Sequence, residues 1–332
     1  MKKELTLFMR IVIKRLVEEQ RNGTAHVCQS TLNRILRFTG GKKVKFEAIT
    51  PAWLAEFERV LREDSLRDNT ISTYMRSLRS VINQAVEKKL AQPVAYLFKH
   101  VHTGVDGGPS RALPEETLQL IAQQPEKPLS EAMEETRALF LLLFLLRGLP
   151  FADLVQLRRC DLVGNTIRIR RRKTGSPLVI TVEPEAMEII KRYSSPDPNS
   201  LYLFPFITQV GRDEYKQYQS ALRCFNQRLE MLGTLLGLDV RLSSYTPRHS
   251  WATIANYHHL DRKMISNSMG HSSLEVTEKY FKAFEEAEIR KMNQQIISYI
   301  IPREIEKRNE FQENANKLIT RSKKQIKGSV TL

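Results

Sequence analysis

The chain has 332 residues, 41% of them hydrophobic, enough to bury the cores of two ordinary domains and too apolar for disorder over most of its length. Its 52 lysines and arginines against 37 acids give a formal charge of +15, which points to a polyanionic partner, nucleic acid first and an anionic membrane surface second. Cys28, Cys160 and Cys224 are scattered and fit thiols of a reducing compartment rather than a disulfide framework.

The opening stretch MKKELTLFMRIVIKRLVEEQ carries charges through its apolar run and no signal-peptide cleavage site, so a cytoplasmic protein is expected. FEAITPAWLAEFERVLRE predicts an amphipathic helix with Pro51 in its first turn. In NTISTYMRSLRSVINQAVEKKL the apolar positions Ile71, Tyr74, Met75, Leu78, Val81, Ile82 and Ala85 follow helical spacing, and Asp68 and Asn69 offer caps. The opposite side presents Ser72, Arg76, Arg79 and Asn83, a polar stripe that fits a phosphate backbone or a solvated surface.

Glycines and a proline cluster in HVHTGVDGGPSRALPEET, the composition of a linker, and Pro114, Glu115 and Glu116 then open a helix. The expected division is a helical domain over 1–103, a linker over 104–111, a second domain over 112–300 and a tail over 301–332. ALFLLLFLL, residues 138–146, is too short to span a bilayer and predicts a buried helix. NTIRIRRRKTGSPLVITV alternates on both sides of Thr174-Gly175-Ser176, which predicts a β-hairpin. Helical patterning returns from 215 to roughly 298. The fold class is therefore mainly α with a small antiparallel sheet.

Phosphate-loop, dinucleotide-fingerprint, HExxH and CxxC motifs are lacking, His258 and His259 are adjacent rather than at ligand spacing, and EEAE at 285–288 follows a helix surface. Neither a metal nor a cofactor is expected. Thr246-Pro247 opens a helix that presents Arg248 and His249 in its first turn. Asp261 starts another helix that ends at Gly270, with His271 in the turn beyond. Ser272 to Glu275 forms a capping box for a further helix, with Tyr280 about two turns in.

These segments resemble the tyrosine recombinases, the phage-integrase type of DNA strand-transfer enzymes. RRRKTG resembles the hairpin that carries the family's lysine, at Lys173. YTPRHSWAT resembles the HxxRH box, with Arg248 at its arginine and Tyr245 where its first histidine commonly stands. MGHSSLEVTEKY resembles the box GHxxxxTxxY, with His271 at the histidine and Tyr280 at the nucleophile. LLFLLRGLPFADLVQL resembles the first-arginine box, but Pro150 stands where the arginine belongs. Arg147, three residues earlier, is expected on the same helical face and is the candidate replacement. This RGxxFxD form resembles the recombinases of mobile elements from Bacteroides-like bacteria.

The resemblance implies a helical core-binding domain followed by a catalytic domain. It implies that Tyr280 attacks a scissile phosphate, Arg147 and Arg248 stabilise its charge, His271 holds a nonbridging oxygen and Lys173 protonates the leaving 5′ oxygen. Tyr245 and His249 are expected as supporting residues. Arg76, Arg79, Arg168, Arg170, Arg171 and Arg172 are expected to contact the DNA backbone. Double-stranded DNA is the implied partner, held by two domains closing as a clamp, with protomers assembling into a tetramer through the segment 293–301 and DNA-bending accessory proteins as further candidates. With core-binding helices starting almost at once, a simple invertase is favoured over an integrase. A type IB topoisomerase and a non-catalytic DNA-binding relative are the alternative functions.

Overall fold

The computed structural model describes residues 3–105, 110–123, 128–211, 213–271 and 273–282, and beyond them 284, 286, 289, 290, 292–294 and 296. Two compact units emerge, 1–109 with 206–221 and 110–205 with 222–332.

The first unit is built on α1 (Leu5–Glu18), α2 (Asn22–Phe38), α3 (Pro51–Glu63) and α4 (Asp68–Glu87). At the start of α3 the Thr50 hydroxyl accepts from the Trp53 N–H at 3.2 Å, and Pro51 occupies the position where no amide donor is needed. The helices meet over Leu32, Leu54, Phe57, Met75 and Leu78, all buried. On α4 the apolar stripe buries Ile71, Met75, Leu78, Val81, Ile82 and Ala85. Its polar stripe is narrower than the sequence suggests, because Ser72 is fully buried and donates its hydroxyl to the Gly104 carbonyl. Arg76 is exposed, whereas Arg79 is half-buried with its guanidinium 4.9 Å from the centre of the Phe98 ring. Residues 206–221 group with these helices, placing the Tyr215 ring 6.5 Å from His26.

In the second unit α5 (Glu115–Ala122), α6 (Glu131–Leu145) and α7 (Phe151–Val155) precede a three-stranded antiparallel sheet of β1 (Leu162–Val163), β2 (Thr166–Arg170) and β3 (Pro177–Thr181), ordered β1-β2-β3. There follow α8 (Pro184–Tyr193), the part of α9 (Glu214–Leu235) from residue 222 onward, α10 (Thr246–Tyr257), α11 (Arg262–Ser268) and α12 (Leu274–Glu278). The architecture is mainly α with a small antiparallel sheet, as the patterning predicts. The apolar run of α6 buries Leu139, Phe140, Leu142 and Leu143, and no helix among the described residues is long and apolar enough to cross a membrane. In the hairpin Ile167 pairs with Ile180 and Arg170 with Pro177, so the basic run 171–173 lies in the connection between strands.

Two local expectations change. α6 ends at Leu145 and α7 begins at Phe151, so Arg147 and Pro150 share no helical face; Arg147 sits in the turn between them with φ at +59°. α12 ends at Glu278, and Tyr280 lies in the turn beyond, its N–H donating to the Thr277 carbonyl at 2.9 Å. Ser272, residues 297–300 of the expected docking helix and the tail 301–332 lie outside the described residues.

Candidate active site

Arg248 is carried in the first turn of α10 and is only 2% exposed. A guanidinium can only donate, and here Nη1 gives a 2.6 Å hydrogen bond to the Gly148 carbonyl while Nη2 gives a 3.0 Å bond to the Met269 carbonyl. Gly148 permits this approach: its φ is +68°, and a Cβ there would lie 2.8 Å from the Arg248 Cα. Burial pulls the Arg248 pKa down, and the charge of Arg171 adds to that effect; the negative form of Tyr280, with its hydroxyl hydrogen bond, works in the other direction.

His271 follows the left-handed Gly270 that ends the α11 turn. Its Nε2 lies 2.5 Å from Arg248 Nη2 and its Nδ1 lies 2.8 Å from Thr277 Oγ1. Since the guanidinium must donate, Nε2 accepts, the proton sits on Nδ1, and Thr277 receives it. Desolvation, then the charges of Arg248, Arg171 and Lys173, bring the His271 pKa down to about 3, which keeps the ring neutral at physiological pH.

The Tyr280 ring stacks on His271 at 5.2 Å between centres, lies 4.8 Å from His249, and has the Arg248 guanidinium carbon 5.1 Å from its centre. Its carbonyl is anchored to α10, where Thr253 Oγ1 donates at 3.0 Å and His249 supplies a second hydrogen bond. The ring packs on a small core of Ala252, Ala255, Ile265 and Met269. Tyr245, at the start of α10, sets its ring 6.4 Å from His249, and desolvation followed by the charge of Tyr280 raises its pKa. Burial lowers the pKa of His249.

The hairpin run sorts its cations unequally. Arg170, Arg172 and Lys173 are exposed, and the Lys173 charge is felt at His271. Arg171, unlike these neighbours, is not a surface cation. It is 6% exposed, with Nε 3.2 Å from Asp153 Oδ2 and Nη1 donating to the Met269 carbonyl at 2.7 Å. Among the described residues no hydrogen bond or ion pair joins the Arg147 side chain to Arg248, His271 or Tyr280. The site thus holds two buried guanidiniums and one carboxylate, Asp153, with a tyrosine over one of the cations. Such an arrangement suits an anion, and a phosphodiester beside a phenol is the chemistry it fits. Sequence reading passed over Asp153 as an anchor, Thr277 and Gly148, although the threonine and the glycine both stand inside quoted boxes.

The family model described as the phage integrase family matches residues 111–287, and the model for a phage integrase SAM-like domain matches residues 4–101. The chain belongs to the phage integrase family. This recombinase is 24% identical over 241 residues to tyrosine recombinase XerC of Halalkalibacterium halodurans, covering 71% of this chain and 78% of the relative. It is 23% identical to tyrosine recombinase XerD of Vibrio cholerae over 258 residues, 76% of this chain and 83% of that one. Its fold is like that of the Tn1549 transposon integrase in complex with a circular intermediate DNA, at TM-score 0.60 and 14% identity, over 89% of this chain and 100% of the other. The lambda integrase (75–356) dimer bound to a core site gives TM-score 0.60 at 14% identity, over 85% of this chain and 99% of the other.

Proposed function

We propose that this tyrosine recombinase cuts and rejoins duplex DNA at a specific site, storing the broken phosphodiester as a bond between Tyr280 and a 3′ phosphate. Tyr280 Oη, on losing its proton to water, attacks phosphorus; the bond to O5′ breaks and that oxygen takes a proton from Lys173. Charge grows on the nonbridging oxygens as phosphorus becomes five-coordinate, and Arg248, held in place by the neutral His271 ring, meets it. A 5′ hydroxyl from a second strand then attacks the phosphotyrosine, and the same groups act in reverse.

The observation that carries this reading is the convergence of Arg248, His271 and Tyr280, from α10, the α11 turn and the turn after α12, with separations of 2.5 Å from arginine to histidine nitrogen and 5.2 Å between the stacked rings. His249 and Thr253 act as positioning residues through the Tyr280 carbonyl. The helical unit is the core-binding part, with Arg76 and Arg79 on the DNA backbone; Arg170 and Arg172 take the same role from the hairpin. Four protomers assemble on DNA in the cytoplasm, a reading supported by the lambda integrase tetramer bound to a Holliday junction.

The test is covalent capture. Nicked duplexes with a randomised core are incubated with the protein and adducts are recovered under denaturing conditions. A wild-type adduct that Tyr280→Phe lacks while still shifting DNA is expected; no wild-type adduct from the pool would sink the proposal.

A further inference from the structure

We propose that Arg171 is the second guanidinium of the phosphate clamp and fills the role for which Pro150 leaves no arginine. The inference rests on the strand-transfer reading of the site and assigns a catalytic contact to a residue of the hairpin connection.

Arg171 and Arg248 come from different elements and end at the same atom. Arg171 Nη1 lies 2.7 Å and Arg248 Nη2 3.0 Å from the Met269 carbonyl oxygen, so the two donors stand within two hydrogen-bond lengths of each other. Two guanidiniums that converge on one oxygen are placed to grip the oxygens of one phosphate. The two side chains are also buried alike, 6% and 2% exposed. A glycine makes room for each: beside Arg248 it is Gly148, and beside Arg171 it is Gly270, where φ is +66° and a Cβ would meet the Arg171 Cδ at 2.9 Å. Asp153 grips Nε at 3.2 Å and so fixes the plane of the Arg171 guanidinium, while Nη2 has no hydrogen-bond partner among the described residues.

Charge bookkeeping leads to the same place. Of the two desolvated cations only Arg171 is paired with a carboxylate, Asp153, and burial first, then the neighbouring positive charge, lowers the pKa of Arg248 and of His271. Buried charge of that kind is stable when an anion arrives to neutralise it. A phosphodiester monoanion supplies the one missing charge. Arg147, by contrast, sits in a left-handed turn and among the described residues makes no bond to this cluster.

The experiment uses the duplex that the wild-type protein captures from the randomised pool, in two forms: the ordinary phosphodiester, and one with a neutral methylphosphonate at the scissile position. Arg171→Ala is expected to slow adduct formation about 100-fold on the phosphodiester, the size seen when one donor to a developing oxyanion is removed. On the methylphosphonate, where one charge no longer needs a partner, the deficit should shrink to less than about 10-fold. An equal deficit on both substrates, or none on either, overturns the inference, as does Arg147→Ala showing the larger deficit and the rescue. Should Arg171→Ala fail to fold, the pair Arg171→Gln with Asp153→Asn removes both charges together and is read the same way. Failure of the wild-type protein to give any adduct strikes the functional reading instead.

Discussion

Nη2 of Arg248 lies 2.5 Å from Nε2 of His271, and because an arginine has no acceptor to offer, this contact fixes the histidine as a neutral ring protonated on Nδ1. Thr277, fully buried, receives that proton at 2.8 Å. Replacing it by valine keeps the volume and removes the acceptor, leaving a buried donor unsatisfied at about 1–3 kcal/mol. Thr277→Val should therefore slow adduct formation and lower the urea midpoint together. A variant with wild-type rate and midpoint would show that Thr277 does not hold the tautomer.

The same histidine sets a pH dependence of stability. Its pKa falls from 6.5 in the unfolded chain to about 3 in the folded one, so between these values the unfolded state binds more protons. Stability then rises with pH across that window and is lost as pH falls from 6.5 toward 3, with a slope of up to about 1.4 kcal/mol per pH unit from this group. His249, also lowered by burial, adds in the same sense. Urea unfolding between pH 7 and pH 4 should show a shallower slope in His271→Gln than in the wild type, and identical slopes would count against the neutral ring.

Gly148 and Gly175 allow a comparison that separates backbone strain from packing. Their φ angles are +68° and +70°, yet a Cβ at Gly148 would lie 2.8 Å from the Arg248 Cα while one at Gly175 would meet open space. Gly175→Ala should cost about 1–2 kcal/mol for the left-handed backbone alone. Gly148→Ala should add a packing cost of about 1–3 kcal/mol and displace Arg248, so it should also lose adduct formation. Equal urea midpoints for the two variants would remove the close approach from the account.

The elements that announce themselves in the sequence are those whose partners are near in the chain or whose pattern is periodic. The α4 stripe, the apolar run of α6, the hairpin around Thr174-Gly175-Ser176 and the Asp261 cap of α11 are of this kind. The boxes that hold Arg248, His271 and Tyr280 were legible by resemblance. Arg171 was not, because in a run of four cations nothing local says which one turns inward. That depends on Asp153, eighteen residues away, and on the Met269 carbonyl, ninety-eight away. Ser72 was misplaced for a similar reason, since its acceptor is the Gly104 backbone, thirty-two residues on. The return of 206–221 to the first unit leaves no periodic trace either.

Lys173 is exposed at the hairpin connection, close enough for its charge to act on His271. As the general acid it should matter only while the leaving oxygen needs a proton. Lys173→Ala should slow adduct formation about 100-fold or more on an ordinary duplex. On a duplex with sulfur in place of the leaving 5′ oxygen, the thiolate departs without protonation and the variant should approach the wild type. A defect of the same size on both substrates would assign Lys173 to binding instead.

The exposed cations of the hairpin and of α4 should reveal themselves through salt. Each phosphate neutralised by Arg76, Arg170 or Arg172 releases counterion, so binding to duplex DNA should weaken linearly in log–log plots, with a slope of about −0.9 per contact. Arg170→Ala and Arg172→Ala should each flatten that slope by about one while leaving the preference among sequences unchanged. Arg171→Ala should flatten it less, because most of its guanidinium is already engaged by Asp153 and the Met269 carbonyl. Titrations at several salt concentrations with the three variants decide this, and a larger change of slope in Arg171→Ala than in its two neighbours would mean that the hairpin turns a different arginine toward the backbone.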